Sequence, residues 1–157
     1  MREEESVEID SWEQFKNSYF GTHNFRGILT SDIDLENETG LLIDVFDGEL
    51  DGNGYTIRNF NCGKDRPLLI KRNEGIIKNL NIKNFKLKSG KKLGGLTFCN
   101  TGRIINCHVS GDFKSGGDVG GIVSRNWGII KNCRFEGSLK SEEVVGGVVA
   151  NNRGGGT

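Results

Sequence analysis

The sequence predicts an all-β chain wound as a right-handed parallel β-helix of about five coils, closed at its N-terminal end by a short capping helix. Three observations lead there. First, one sentence is written three times. Leu93-Gly94-Gly95-Leu96 leads through Asn100-Thr101-Gly102 to Ile104-Ile105-Asn106-Cys107; Val119-Gly120-Gly121-Ile122 leads through Asn126-Trp127-Gly128 to Ile129-Ile130-Lys131-Asn132-Cys133; Val145-Gly146-Gly147-Val148 leads to Asn152-Arg153-Gly154. Second, the Asn-x-Gly landmarks stand at 73, 100, 126 and 152, with spacings of 27, 26 and 26 residues. A fixed period of this length means that each repeat buries its apolar face on its neighbours. Third, glycine recurs through the repeats from about residue 67 on, which disfavours helix there. Alternation and β-branched residues favour strands instead.

The elements follow in order. Residues 1–24 form an acidic segment and the capping helix. Val7-Glu8-Ile9 reads as a short strand, and Ser11-Trp12-Glu13-Gln14 as a capping box that opens a helix through about Ser18. Trp12, Phe15 and Tyr19 share one helical face and would cover the first coil, because a solenoid must shield its terminal core and unpaired edges. Residues 25–66 are irregular first coils: Ile28-Leu29, Ile33 and Leu35 alternate with polar residues, and Asp51-Gly52-Asn53-Gly54 is a strong turn signal. Ile57-Arg58-Asn59-Phe60 matches Ile77-Lys78-Asn79-Leu80 only 20 residues later, so these coils should be shorter than the rest. Residues 67–157 hold the regular repeats, the last incomplete, each with three short strands. In the second full copy these are Leu93–Phe98, Arg103–Val109 and a segment near Phe113. Stacked at ~4.8 Å per coil, about five coils make a core roughly 24 Å long.

Alignment of the repeats yields columns. Asn73, Asn100, Asn126 and Asn152 should stack, as should Asn79, Asn106 and Asn132, each bonding the asparagine one coil away and tolerating left-handed backbone. Gly75, Gly102, Gly128 and Gly154 should supply positive φ. Leu80, Cys107 and Cys133 point inward, as do Ile82, Val109 and Phe135. Lys88, Lys114 and Lys140, each followed by serine, point outward.

Composition limits function. Hydrophobic residues are 34% of the chain, low for a globule but adequate for a thin solenoid with much surface. No window approaches 18 apolar residues, so no membrane-spanning helix is expected. The N-terminus has no apolar stretch of signal-peptide type. The net charge of zero hides a division: residues 1–52 carry 14 acidic and 3 basic residues, residues 53–157 carry 7 acidic and 18 basic. In a solenoid this places an acidic start opposite a basic end, an asymmetry that bears on partners and association rate. Head-to-tail self-association weakened by salt is therefore expected.

The repeat resembles the GLUG motif, roughly G-G-L-V-G-x-N-x-G-x-I-x-N-C. Gly94-Gly95-Leu96, Asn100, Gly102, Ile104, Asn106 and Cys107 match it, as do Gly120-Gly121-Ile122-Val123, Asn126, Gly128, Ile130, Asn132 and Cys133. Residues 28–60 look like the segment that precedes such repeats. The resemblance implies a β-helical region of a bacterial surface or secreted protein, of the kind found in adhesins and in the non-catalytic regions of IgA-specific peptidases. A cell-surface or secreted location follows from the resemblance, and a cytoplasmic one if Met1 is the native start.

Candidate chemistry is sparse. Cys62, Cys99, Cys107 and Cys133 have neither C-x-x-C spacing nor a histidine pattern for zinc. In-register parallel neighbours hold Cβ atoms ~4.8 Å apart, wider than the ~3.5–4.5 Å of a disulfide, so Cys107 and Cys133 are expected as free thiols. His108 should face away from Cys107, since adjacent strand residues alternate sides, and His23 has no partner pattern. Asp44, Asp47, Glu49 and Asp51 are the best acidic cluster, and β-helix lyases and hydrolases use such groups. Asn37-Glu38-Thr39 is a lone sequon. No metal ligand set, cofactor motif or catalytic set is expected. The best binding candidate is basic: Lys88, Lys114 and Lys140, with Lys86 and Arg134 and with Lys83, Lys91, Lys92 and Arg103 nearby. Such a row suits an anionic protein or glycan, and nucleic acid less, because aromatic interleaving is thin.

The leading reading is a non-enzymatic, adhesin-like structural and binding module that engages a macromolecule through its faces or ends. A small intracellular β-helix that binds or inhibits another macromolecule is the alternative. A polysaccharide-active enzyme is the third.

Overall fold

The computed structural model describes residues 6–20, 25–36, 43–61 and 70–153. Met1–Glu5, the Tyr19 side chain, His23, Asn37-Glu38-Thr39, Cys62 and Gly154–Thr157, which carried expectations above, lie outside the described residues. Strand β1 (Val7–Ile9) leads into helix α1 (Trp12–Phe20). Strands β2 (Arg26–Leu29), β3 (Ile33–Asp34) and β4 (Ile43–Phe46) make the first coil, and β5 (Glu49–Asp51), β6 (Thr56–Arg58) and β7 (Ile70–Asn73) the second. The third comprises β8 (Ile76–Lys78), β9 (Asn81–Ser89), β10 (Leu93–Gly94) and β11 (Thr97–Asn100). Strands β12 (Arg103–Ile105), β13 (His108–Ser115), β14 (Val119–Gly120) and β15 (Val123–Asn126) form the fourth. Strands β16 (Ile129–Lys131), β17 (Arg134–Ser141), β18 (Val145–Gly146) and β19 (Val149–Asn152) form the fifth.

These strands build four parallel walls. Wall one runs β1-β2-β5-β8-β12-β16, wall two β3-β6-β9-β13-β17, wall three β4-β7-β11-β15-β19, and a short fourth wall β10-β14-β18. The chain is therefore a parallel β-solenoid, with four complete turns from β2 to β16 and a fifth coil begun there. Register follows the repeat: Gly27 pairs with Leu50, Leu50 with Ile77, Ile77 with Ile104 and Ile104 with Ile130, steps of 23, 27, 27 and 26 residues. The first step is shorter than the rest, while the second is already 27 residues. Ile57, however, stacks on Ile82 in wall two and not on Ile77. The 20-residue match joins two different walls.

The regular coils carry four strands rather than three. The Gly-Gly corner at Gly94-Gly95 splits the expected Leu93–Phe98 strand into β10 and β11, and Val109 and Phe113 share the single strand β13. From the second coil on, wall one turns into wall two through a left-handed asparagine: Asn53 (φ 53°), Asn79 (55°), Asn106 (56°) and Asn132 (54°). Asparagine accepts this conformation because its short polar side chain bonds locally. Gly75, Gly102 and Gly128 do not have positive φ, against expectation; the left-handed glycines among the described residues are Gly54 and Gly137. What these three positions require is absence of a side chain, since a Cβ on each would collide with the carbonyl of Gly48, Gly75 or Gly102 one coil below. Nor are Asn73, Asn100 and Asn126 left-handed; their role is purely side-chain bonding.

Asparagine ladders tie the layers. In wall three the buried Asn73 Nδ2 donates to Asn100 Oδ1 (2.9 Å), Asn100 Nδ2 to Asn126 Oδ1 (2.9 Å) and Asn126 Nδ2 to Asn152 Oδ1 (3.0 Å). Two outer ladders run the other way. Asn106 Nδ2 donates to Asn79 Oδ1 (2.8 Å) and Asn79 Nδ2 to Asp51 Oδ1 (3.1 Å). Asn84 Nδ2 donates to Asn59 Oδ1 (2.8 Å) and Asn59 Nδ2 to Asp34 Oδ1 (3.1 Å). A row of amides donating toward the N-terminus must end on a group that only accepts, and each outer ladder ends on a carboxylate. Hydrogen bonds from the Glu36 amide and from Asn59 hold Asp34 below the usual carboxylate range.

One continuous core fills the interior, from Ile9, Trp12 and Phe15 through Leu50, Ile77, Ile82 and Ile104 to Phe113 and Ile122. Helix α1 closes its N-terminal end. Ser11 Oγ caps the helix by accepting from Gln14 N (3.1 Å), while Gln14 Oε1 accepts from Asp10 N (2.8 Å). Trp12 stacks on Phe15 (5.4 Å between centroids), Phe15 meets Phe25 edge-on (5.7 Å) and Phe25 meets Phe46 (6.2 Å). The helix ends at Phe20, two residues later than the sequence suggests. In the fifth coil the cover thins: Phe135 and Leu139 are half-buried where their partners Val109 and Phe113 are buried. No described helix is long and apolar enough to cross a membrane.

Candidate partner-binding face

Wall two brings the lysine column together. Lys88 pairs with Lys114 and Lys114 with Lys140 in register, and all three are exposed. Serine chemistry fixes their positions. Ser89 Oγ accepts from Lys91 N (3.0 Å), Ser115 Oγ from Gly117 N (3.1 Å) and Ser141 Oγ from Glu143 N (2.9 Å). Ser115 Oγ also donates to the Lys91 carbonyl, and Ser141 Oγ to the Gly117 carbonyl, each one coil below. The same Lys-Ser turn is thus pinned to itself layer after layer. Gly90 and Gly116 follow in the next column and leave an open groove of about 510 Å³ beside the lysines; Glu142 takes that place in the fifth coil. Lys114 and Lys140 have no ion-pair partner among the described residues.

The other basic candidates separate. Lys86 lies on the same outer face as Lys88, but its register partner is Asp112, which accepts from Ser138 Oγ (2.9 Å). Arg134 sits at the opposite end of β17 and pairs with Glu136 (3.1 Å). Lys92 pairs with Asp118 (3.8 Å), and Arg103 belongs to wall one. Burial alone would raise the Asp118 carboxyl, but the Val144 amide, the Asn151 amide group and Lys92 together hold it below its ordinary range.

The acidic candidates do not form one cluster. Glu49 pairs with Arg26 (3.3 Å) and Lys78 (3.8 Å). Asp51 accepts from Asn53 N (2.8 Å) and Asn79 Nδ2 (3.1 Å), so it is a turn and ladder residue. Asp44 faces outward on wall three and Asp47 lies in the following turn. Among the described residues no three His, Cys, Asp or Glu side chains converge as metal ligands.

Cys99, Cys107 and Cys133 are free thiols. Cys107 is buried while His108 is exposed, on opposite faces as alternation requires. The Cys107 and Cys133 sulfurs interact. Hydrogen bonding to Cys133, then burial, pushes the Cys107 thiol far up, and the same bond brings Cys133 down to about 7. The thiolate is the reactive form, so iodoacetamide labelling of Cys133 should rise with pH through about 7, while Cys107 stays unlabelled in the folded chain. In a Cys107→Ala variant the donor is gone and the labelling midpoint of Cys133 should move up into the ordinary thiol range. Peptide mapping by mass spectrometry checks both. Equal labelling of Cys107 and Cys133 would contradict the assignment.

Sequence reasoning missed a second groove, on wall three. It is lined by Asp44, Val45, Lys71, Arg72, Phe98, Cys99, Thr101, Arg125 and Trp127 and has a volume of about 550 Å³. Its columns mix residue types, so the repeat gives no hint of it. The single signal available was Trp127, an aromatic in an Asn-x-Gly turn whose other copies carry Glu74, Thr101 and Arg153.

Fold and faces together define a parallel β-solenoid with a basic ladder on one wall and a mixed cationic and aromatic groove on another. The chain is similar to a crystal structure from Bacteroides ovatus described as a "putative immunoglobulin A1 protease", with 21% identity and a TM-score of 0.71 over 96% of this chain. The match spans 63% of that protein's length. At this identity the likeness shows the fold. No family model matches the chain, and no curated protein matches it.

Proposed function

We propose that this chain is a non-enzymatic, adhesin-like β-solenoid module that engages an anionic macromolecular partner through the Lys88–Lys114–Lys140 ladder. The observation that carries the reading is the serine-pinned register of three exposed lysines along an open groove. Lysines on backbones stacked at ~4.8 Å intervals concentrate positive charge along one line, which suits a polyanion running along the row. The GLUG-like repeats agree with a surface or secreted module of this kind. The non-enzymatic part rests on the acidic candidates: Glu49 and Asp51 are held in ion pairs and turn bonds.

Retention on immobilised heparin, a polyanionic glycan, tests the ladder. The wild-type chain should elute at clearly higher salt than a Lys88→Gln/Lys114→Gln/Lys140→Gln variant, because each lost contact lowers the dependence on salt. A matched variant with three exposed basic residues changed elsewhere (Lys83, Arg103 and Lys131) should elute near wild type. Equal elution of the two triple variants would show that net charge alone binds and would remove the ladder as a site.

A further inference from the structure

The groove on wall three is independent of the lysine ladder, and its chemistry differs. Its floor column is Val45, Arg72, Cys99, Arg125 and Asn151 in register, one residue per coil. Arg72 and Arg125 therefore stand two layers apart, about 10 Å, with Cys99 between them. Arg72 is ion-paired with Glu74. Arg125 has no ion pair among the described residues, and its Nε is shielded from water without a hydrogen-bond partner. A nitrogen closed to water is closed to a ligand oxygen as well, so the terminal guanidinium nitrogens are what Arg125 offers the groove. Burial pushes the Cys99 thiol up, so the floor between the two guanidinium groups is neutral and does not repel an anion.

Two residues beyond Arg125, Trp127 occupies the exposed middle of its turn and is 46% exposed, the most accessible aromatic ring among the described residues. Phe98 lies half-buried beside it in the groove. Lys71 adds a cation, and Thr101 and Asp44 add a hydroxyl and a carboxylate. The groove runs along the coil axis from Asp44 to Trp127, three layers or about 14 Å. A flat indole face, a guanidinium able to grip a carboxylate in two bonds, and scattered acceptors for hydroxyls are complementary to one ligand class.

We propose that this groove binds a short acidic oligosaccharide, with one ring stacked on Trp127 and that ring's carboxylate, or its neighbour's, held by Arg125. The apolar C–H face of a pyranose covers the indole, and the carboxylate pairs with the terminal guanidinium nitrogens of Arg125. Lys71 adds long-range attraction, and Thr101 and Asp44 take ring hydroxyls. A nucleic acid would want aromatic rings repeated along the strand for its bases, and the strongly exposed ring in this groove is Trp127.

Trp127 fluorescence reads the test directly, because the other tryptophan, Trp12, is 5% exposed under the N-terminal cap and serves as an internal reference. The full chain is titrated with carboxylated oligosaccharides: oligogalacturonate, a hyaluronan oligosaccharide and sialyllactose. At least one should give saturable quenching, and its carboxyl-reduced counterpart should bind roughly tenfold or more weakly. Arg125→Gln should weaken binding to a similar degree, and Arg125→Lys should restore only part, since lysine grips a carboxylate at a single point. Trp127→Ala should abolish both the signal and, by calorimetry, the binding. Lys88→Gln/Lys114→Gln/Lys140→Gln should leave it unchanged, which separates this groove from the ladder. Circular dichroism melts confirm that each variant is folded. Failure of all three sugars, equal affinity for the carboxyl-reduced form, or tighter binding of an oligo-dT strand would each overturn the proposal.

Discussion

Asn100→Ala should destabilise the folded chain by about 3–5 kcal/mol, mostly through lost hydrogen bonds and not lost volume. Asn100 is fully buried. Its Nδ2 faces Asn126 Oδ1 (2.9 Å), the Gly102 carbonyl (3.2 Å) and the Ile129 carbonyl (3.4 Å), and its Oδ1 accepts from Asn73 (2.9 Å). Each bond contributes about 1 kcal/mol net, and water cannot replace them in so close a layer. Asn100→Leu restores bulk and should recover little. Asn84→Ala removes a bond from an exposed ladder, where water takes over, and adds left-handed strain at φ 55°, so it should cost about 1–2 kcal/mol in all. Urea unfolding followed by circular dichroism gives all three. An Asn100→Ala midpoint close to that of Asn84→Ala would show that the inner ladder contributes nothing special.

The same residues show what a repeat reveals and what it conceals. Periodicity predicts sameness, and sameness was enough for the solenoid, the buried asparagine ladder and the lysine column. Each of those needs like over like. The division of labour between asparagines was not legible. Asn100 and Asn106 look equivalent in the sequence, yet one bonds layers from inside the wall and the other turns the corner at φ 56°. The difference depends on which side of the coil each faces, which spacing alone does not give. Gly102 was misread for a related reason: glycine is associated with positive φ, but here it makes room for a carbonyl. The second groove was hidden because its columns are unlike. Asp44, Lys71, Phe98 and Ser124 share one position across coils, and Val45, Arg72, Cys99 and Arg125 share the next. In a solenoid the fold is written in the positions that repeat, and ligand specificity is free to occupy those that do not.

Gly102→Ala should destabilise the chain by about 3 kcal/mol or more, although glycine there is in no unusual backbone conformation. Its added Cβ would point into the carbonyl of Gly75, which itself accepts from Arg103 N (2.9 Å). Relief requires the coils to separate, and the coil spacing of ~4.8 Å is set by the ladders on every wall at once. Strain at one corner therefore spreads to Asn100 and Asn126, whose bonds tolerate little lengthening. Gly90→Ala is the control: no atom lies near its Cβ position, so the change should be neutral or stabilise slightly by narrowing the unfolded ensemble. Gly54→Ala separates the two causes, since that site is open but left-handed (φ 82°), and should cost about 1 kcal/mol from backbone strain alone. The order Gly102 well above Gly54, with Gly90 near zero, follows only if close approach between coils is the constraint. If thermal melts rank Gly54→Ala as the worst of the three, conformational freedom is the reason for these glycines after all, and the stacking of carbonyls over glycines is incidental.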